Sequence, residues 1–157
     1  MDVNIMMAVF LFTLIWLGIA DVRTGLLVNR IVLPLGVLGL LWQLFHVCQL
    51  DAEWVTVLAG AAAGGGSLWL LRRVTRGGLG GGDVKLGLVM GIWLGCPGIF
   101  IALLAAFFLG GLVAVGLLLG QRCTRREALP FGPFLAAGGW IAVFAGQWLW
   151  QVYMTLF

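Results

Sequence analysis

Charge is scarce in this 157-residue chain: Asp, Glu, Lys and Arg together make up 10% of it, against 62% hydrophobic residues. A soluble domain carries about 25% charged residues, so there is too little charge here to cover a water-facing surface. Mean hydropathy is +1.12. These figures exclude a soluble enzyme, a disordered tail and a nucleic-acid-binding module, and leave a protein integral to a membrane. At about 20 apolar residues per crossing, the chain has room for at most about seven spans, and loops lower that number.

Other shortages remove whole classes of chemistry. His46 is the single histidine, so H-E-x-x-H zinc chemistry cannot be built. Ser67 is the only serine and lies in an apolar run, which disfavours a serine–histidine pair. Three cysteines, Cys48, Cys96 and Cys123, form no C-x-x-C pair, so neither a zinc site nor a disulfide framework is indicated. Cys48 and Cys96 can face one compartment and pair, or stand as separate packing thiols. Neither G-x-x-x-x-G-K-[ST] nor G-x-G-x-x-G occurs, which leaves nucleotide binding without a motif.

What is present is a series of apolar runs. The first covers residues 5 to 20 and follows Met1-Asp2-Val3-Asn4, which lacks the basic start of a cleaved signal peptide. Runs at 31–50 and 54–71 come next. Residues 86–119 form a 34-residue run interrupted by Cys96-Pro97-Gly98, a turn signal that divides it into two arms of about 15 residues, roughly 23 Å of helix each. Residues 134–157 complete a count of six. All nine basic residues fall after runs one, three and five: Arg23 and Arg30; Arg72, Arg73, Arg76 and Lys85; Arg122, Arg125 and Arg126. The opposite side carries Asp2, Asp51 and Glu53. By the positive-inside rule the basic loops are cytoplasmic and both termini lie outside.

Among the six acids, two stand at the edges of apolar runs: Asp21 closes the first and Asp83 opens the fourth. An ionisable group at a membrane boundary is costly unless paired or functional. If helices one and four are neighbours, the two carboxylates face each other and hold one proton between them. One then acts as base toward water and the other as acid toward a carbonyl oxygen, the chemistry of aspartic peptidases, with no metal or cofactor. The alternative is that Asp21 caps a short helix and Asp83 pairs with Lys85 or a nearby arginine. Before Asp83 runs Gly77-Gly78-Leu79-Gly80-Gly81-Gly82, either a flexible connection or a bare backbone that admits another chain closely. Gly87, Gly91 and Gly95 then recur every four residues, a small-residue face for tight helix packing.

Three stretches resemble the bacterial type IV prepilin peptidases, polytopic aspartic proteases of the G-x-G-D type. They are Asp21-Val22-Arg23-Thr24-Gly25-Leu26-Leu27-Val28-Asn29, then Gly80-Gly81-Gly82-Asp83-Val84-Lys85-Leu86, which fits G-x-G-D-x-K-L, and Leu129-Pro130-Phe131-Gly132-Pro133-Phe134-Leu135. The resemblance implies that Asp21 and Asp83 are catalytic. It makes Gly80, Gly81, Gly82, Lys85, Arg23 and Asn29 candidates for substrate binding or support. It also implies prepilin or pseudopilin substrates, cut after a glycine that follows a basic leader, at the cytoplasmic face of the bacterial inner membrane. Where the family usually has Ile-Pro-Asn, this chain has Leu27-Val28-Asn29. Long family members carry a cysteine-bearing cytoplasmic insertion and also N-methylate the new N-terminus. No such insertion follows run one here, so a short form without methyltransferase activity is expected.

The expectation is therefore an all-α, six-helix membrane bundle forming a single peptidase domain over 1–157. It needs no cofactor, and its partners are its substrates and membrane lipids, with no nucleic acid. The competing reading, from another class, is a small proton- or cation-coupled transporter or channel built on the same two carboxylates.

Overall fold

In a lipid environment every backbone polar group must be satisfied within the chain, so long apolar runs fold as helices. The computed structural model describes residues 3–24, 29–50, 54–76, 78–120 and 130–156, and among these it is all-helical. The elements are α1 (Val3–Thr24), α2 (Asn29–Leu50), α3 (Trp54–Val74), α4 (Gly81–Leu119) and α5 (Gly132–Leu156). Three stretches are long and apolar enough to cross a membrane: Ile5–Thr24, Trp54–Val74 and Gly81–Leu117. Their outward side chains are apolar, with Phe12, Val55, Leu104 and Phe108 each more than 70% exposed. Water does not tolerate so continuous an apolar coat, and lipid does.

Five helices are described where the sequence leads one to expect six. The reason lies in α4. The expected interruption at Cys96-Pro97-Gly98 falls one residue earlier, at Gly95, and no separate loop intervenes. Gly95 has φ 69° and ψ −177°, a conformation essentially confined to glycine. Helix resumes at once, with Pro97 just inside the second limb, where its missing N–H deprives few partners.

Gly95 nonetheless reverses the chain. Gly64 of α3 lies against both Gly87 and Ile99, residues about 18 Å apart along a straight helix. On α5, Gly138 lies against Ala102 while Gly139 approaches Met90. Limbs 81–94 and 96–119 therefore run back beside each other. The carbonyl of Ile92, near this break, accepts a hydrogen bond from Gln43 Nε2 at 3.0 Å.

The glycine spacing of the fourth run acts as a seam. A side chain at Gly87 would collide with the Gly64 carbonyl oxygen, and one at Gly91 with that of Gly60, so α3 and α4 meet backbone to backbone. Such contact replaces the hydrophobic drive that helices lack in lipid. Interhelical bonds add to it: Trp93 Nε1 donates to the Leu35 carbonyl at 3.0 Å and Trp140 Nε1 to that of Leu11 at 3.2 Å. At the centre, Phe10 of α1 stacks on Trp93 of α4 with ring centroids 5.0 Å apart and planes inclined by 13°. Cys96 is a half-buried free thiol, whereas the side chains of Cys48 and His46 lie outside the described residues.

Candidate active site

The Phe10–Trp93 stack sets the register of the site. Asp21 lies eleven residues beyond Phe10 along α1, about 16 Å, and Asp83 ten residues before Trp93 along α4, about 15 Å. The two helices run in opposite directions, so both carboxylates arrive at the same level of the bundle, within electrostatic reach of each other. Each is 5% exposed, and they are the two buried polar or charged residues among those described.

Neither aspartate stands in a loop. Asp21 belongs to the last turn of α1, which continues to Thr24, and Asp83 to the first turn of α4, which starts at Gly81 rather than near Leu86. Asp83 Oδ2 accepts the Gly80 N–H at 3.1 Å. This is the backward reach of a capping box, in which the third helical residue satisfies the donor of the residue before the helix. Its other oxygen, Oδ1, is buried without a hydrogen-bond partner among the described residues. A buried acceptor with no donor is costly.

Asp21 is oriented from a distant part of the chain. Its Oδ2 accepts the Gly132 N–H at 2.9 Å, at the start of α5. Gly132 was expected only as part of a resembling stretch, without a role. Its bond to Asp21 spans 111 residues, and the signal visible in the sequence is the Pro130-Phe131-Gly132-Pro133 run itself.

The other expected residues divide. Gly80 abuts the Asp83 carboxylate directly. Gly81 and Gly82 are helical, so the end of the glycine run supplies a helix start rather than a flexible connection. Gly81 lies beneath the guanidinium of Arg72, from the last turn of α3. Arg23 and Lys85 are exposed at the same end. The side chain of Asn29 lies outside the described residues. Arg23, Arg30, Arg72, Arg73, Arg76 and Lys85, the six basic residues described, are all exposed and all at the aspartate end. Arg122, Arg125 and Arg126 lie outside the described residues. A cavity of about 690 Å³ lined by Leu11, Trp93, Pro97, Ile101 and Val143 opens at the other end of the bundle, remote from the carboxylates.

Among the described residues no group of three or more His, Cys, Asp or Glu side chains is placed to hold a metal ion. The arrangement present is two buried carboxylates, each held by one backbone N–H at a helix start, with one oxygen left over.

The type IV leader peptidase family model matches residues 8–115 of the chain. Curated proteins named prepilin leader peptidase/N-methyltransferase are also similar. That of Bacillus subtilis (strain 168) is 34% identical over 94% of this chain and 58% of its own length. The protein from Pseudomonas putida is 38% identical over 92% of this chain and 51% of its own, and that from Aeromonas hydrophila 33% over 93% and 51%. The chain thus spans about half the length of the curated relatives it matches. No solved structure matches it.

Proposed function

The chain belongs to the type IV leader peptidase family, and on that premise we propose that it is a membrane aspartic endopeptidase that removes basic leader peptides from prepilins or pseudopilins. The observation that carries the reading is the burial of Asp21 and Asp83 at one level of an otherwise apolar bundle. Structural carboxylates in such a place are paired with bases or fully hydrogen-bonded. Here one carboxylate oxygen is left open.

The two acids share one proton. The ionised member draws a proton from water as that water attacks the carbonyl carbon of the scissile bond. The protonated member donates to the carbonyl oxygen, and the resulting tetrahedral species collapses with proton transfer to the leaving nitrogen. The substrate is cut after a glycine at the cytoplasmic face of the bacterial inner membrane, the face the basic residues mark. A single domain spans 1–157, with six membrane segments when the two limbs of α4 are counted separately and both termini outside. The methyltransferase half of the relatives' name is not carried to this chain, and the peptide cleavage itself uses no cofactor.

Co-expression with a prepilin tests the reading. Wild type shortens the substrate on a gel, whereas Asp21→Asn and Asp83→Asn each lower cleavage by at least about a thousandfold while inserting normally. Wild-type processing by either variant refutes the assignment. Pilin left uncut by wild type, together with pH-driven flux in liposomes, favours the transporter reading instead.

A further inference from the structure

The first turn of a helix presents N–H groups that have no partner within the helix. In α5 they can be traced one by one. Pro133 has none. Phe134 and Leu135 both donate to the Phe131 carbonyl, each at 3.1 Å. The one remaining donor, Gly132 N–H, points at Asp21 Oδ2 at 2.9 Å. Asp21 meanwhile sits in the last turn of α1, where the negative end of the helix dipole opposes a negative charge. The start of α5 supplies what the end of α1 withholds, a donor and the positive end of a helix dipole.

The approach leaves no room for a side chain. A Cβ built on Gly132 would lie 2.6 Å from Asp21 Oδ2, 2.9 Å from its Cβ and 3.0 Å from its Cγ. Because Asp21 Cβ is anchored to the helix backbone, the clash is not relieved by rotating the carboxylate alone. Nearby, Gly18 brings α1 against Pro133 and Ala136, so the two helices are already close.

We propose that Gly132 is a positioning residue for the peptide-cleavage reaction. Its N–H fixes which oxygen of Asp21 is occupied and turns the other toward Asp83 and the substrate, and its lack of a side chain permits that approach. The inference rests on the reading of Asp21 as a reacting carboxylate.

Three forms of the full chain in proteoliposomes, assayed on a prepilin, test it. Gly132→Ala adds the clash. A chain assembled by ligation at Cys123, with an ester in place of the Phe131–Gly132 amide, deletes the N–H and adds no volume. Gly139→Ala, two turns further along α5, perturbs packing away from the site, against the flexible ends of Leu14 and Met90. The first two lower kcat roughly 10- to 100-fold with KM within about twofold, as loss of a preorganised donor does. Gly139→Ala keeps both constants within about twofold of wild type. An ester chain with wild-type kcat overturns the proposal, whether or not Gly132→Ala inserts. Cleavage that survives in Asp21→Asn removes the premise instead, and does so independently of the ester result.

Discussion

A carboxylate buried in a lipid-embedded bundle needs donors, and in this protein backbone N–H groups at helix starts provide them. Gly80 serves Asp83 and Gly132 serves Asp21, so each proposed catalytic carboxylate is tied to the first turn of a helix rather than to a flexible side chain. The glycines before Asp83 are therefore not equivalent. A Cβ at Gly80 would sit 2.9 Å from Asp83 Oδ2, whereas one at Gly78 would meet Thr75 at 3.3 Å, away from the site. Gly80→Ala should displace the carboxylate and lower kcat by roughly tenfold or more, with the protein still folded, while Gly78→Ala stays within about twofold. Steady-state cleavage assays on the two variants make the comparison. Equal activities would show that the run serves as a connection alone. The spacing G-x-G-D could be read from the sequence, but which glycine touches the acid depends on where α4 begins. That start lies at Gly81, because Asp83 closes a cap back onto Gly80.

Among the elements, the seam between α3 and α4 carries the most specific packing. Gly87 and Gly91 were legible as a small-residue face from their spacing of four. Their partners, Gly60 and Gly64, sit in a glycine- and alanine-rich stretch of α3 where sequence does not single them out. Neighbouring glycines on α3 make a direct test. A Cβ at Gly64 would strike the Gly87 backbone, while Gly66 has nothing within 4 Å. Gly64→Ala should destabilise by about 1–3 kcal/mol, the usual range for forced overpacking. Gly66→Ala should be neutral or stabilise by up to about 1 kcal/mol, because alanine gives up less backbone freedom on helix formation than glycine. Thermal unfolding in detergent separates them, and a loss at both positions would contradict the seam. The turn within α4 illustrates the limit of composition at this scale. Cys96-Pro97-Gly98 looks like the breaker, yet Gly95 takes the positive φ and the helix resumes with Pro97 as one of its opening residues.

For the whole molecule, charge distribution and chain reversal agree on one polarised object. The six described basic residues gather at the aspartate end, around the ends of α1 and α3 and the starts of α2 and α4. Two single-cysteine chains, made in a background without Cys48, Cys96 and Cys123, test the resulting orientation. Arg76→Cys should react with an impermeant maleimide only after the cell membrane is opened. Glu53→Cys, which precedes α3 in the sequence, should react in intact cells. The reverse pattern would place the aspartates on the outer face and rule out cytoplasmic leader cleavage.

Composition pointed to a membrane protein and the long unbroken apolar runs pointed to helices, which satisfy their backbone within each segment. Elimination among six acids also isolated Asp21 and Asp83 before any fold was known, since scarce charge in an apolar chain is individually conspicuous. Only the tertiary structure decided how they are held. Asp21 depends on Gly132, 111 residues away, and the common level of the two acids follows from the stacking of Phe10 on Trp93. Those contacts join positions with no periodic relation in sequence, and the bond from Gly132 exists only once α5 has returned against α1.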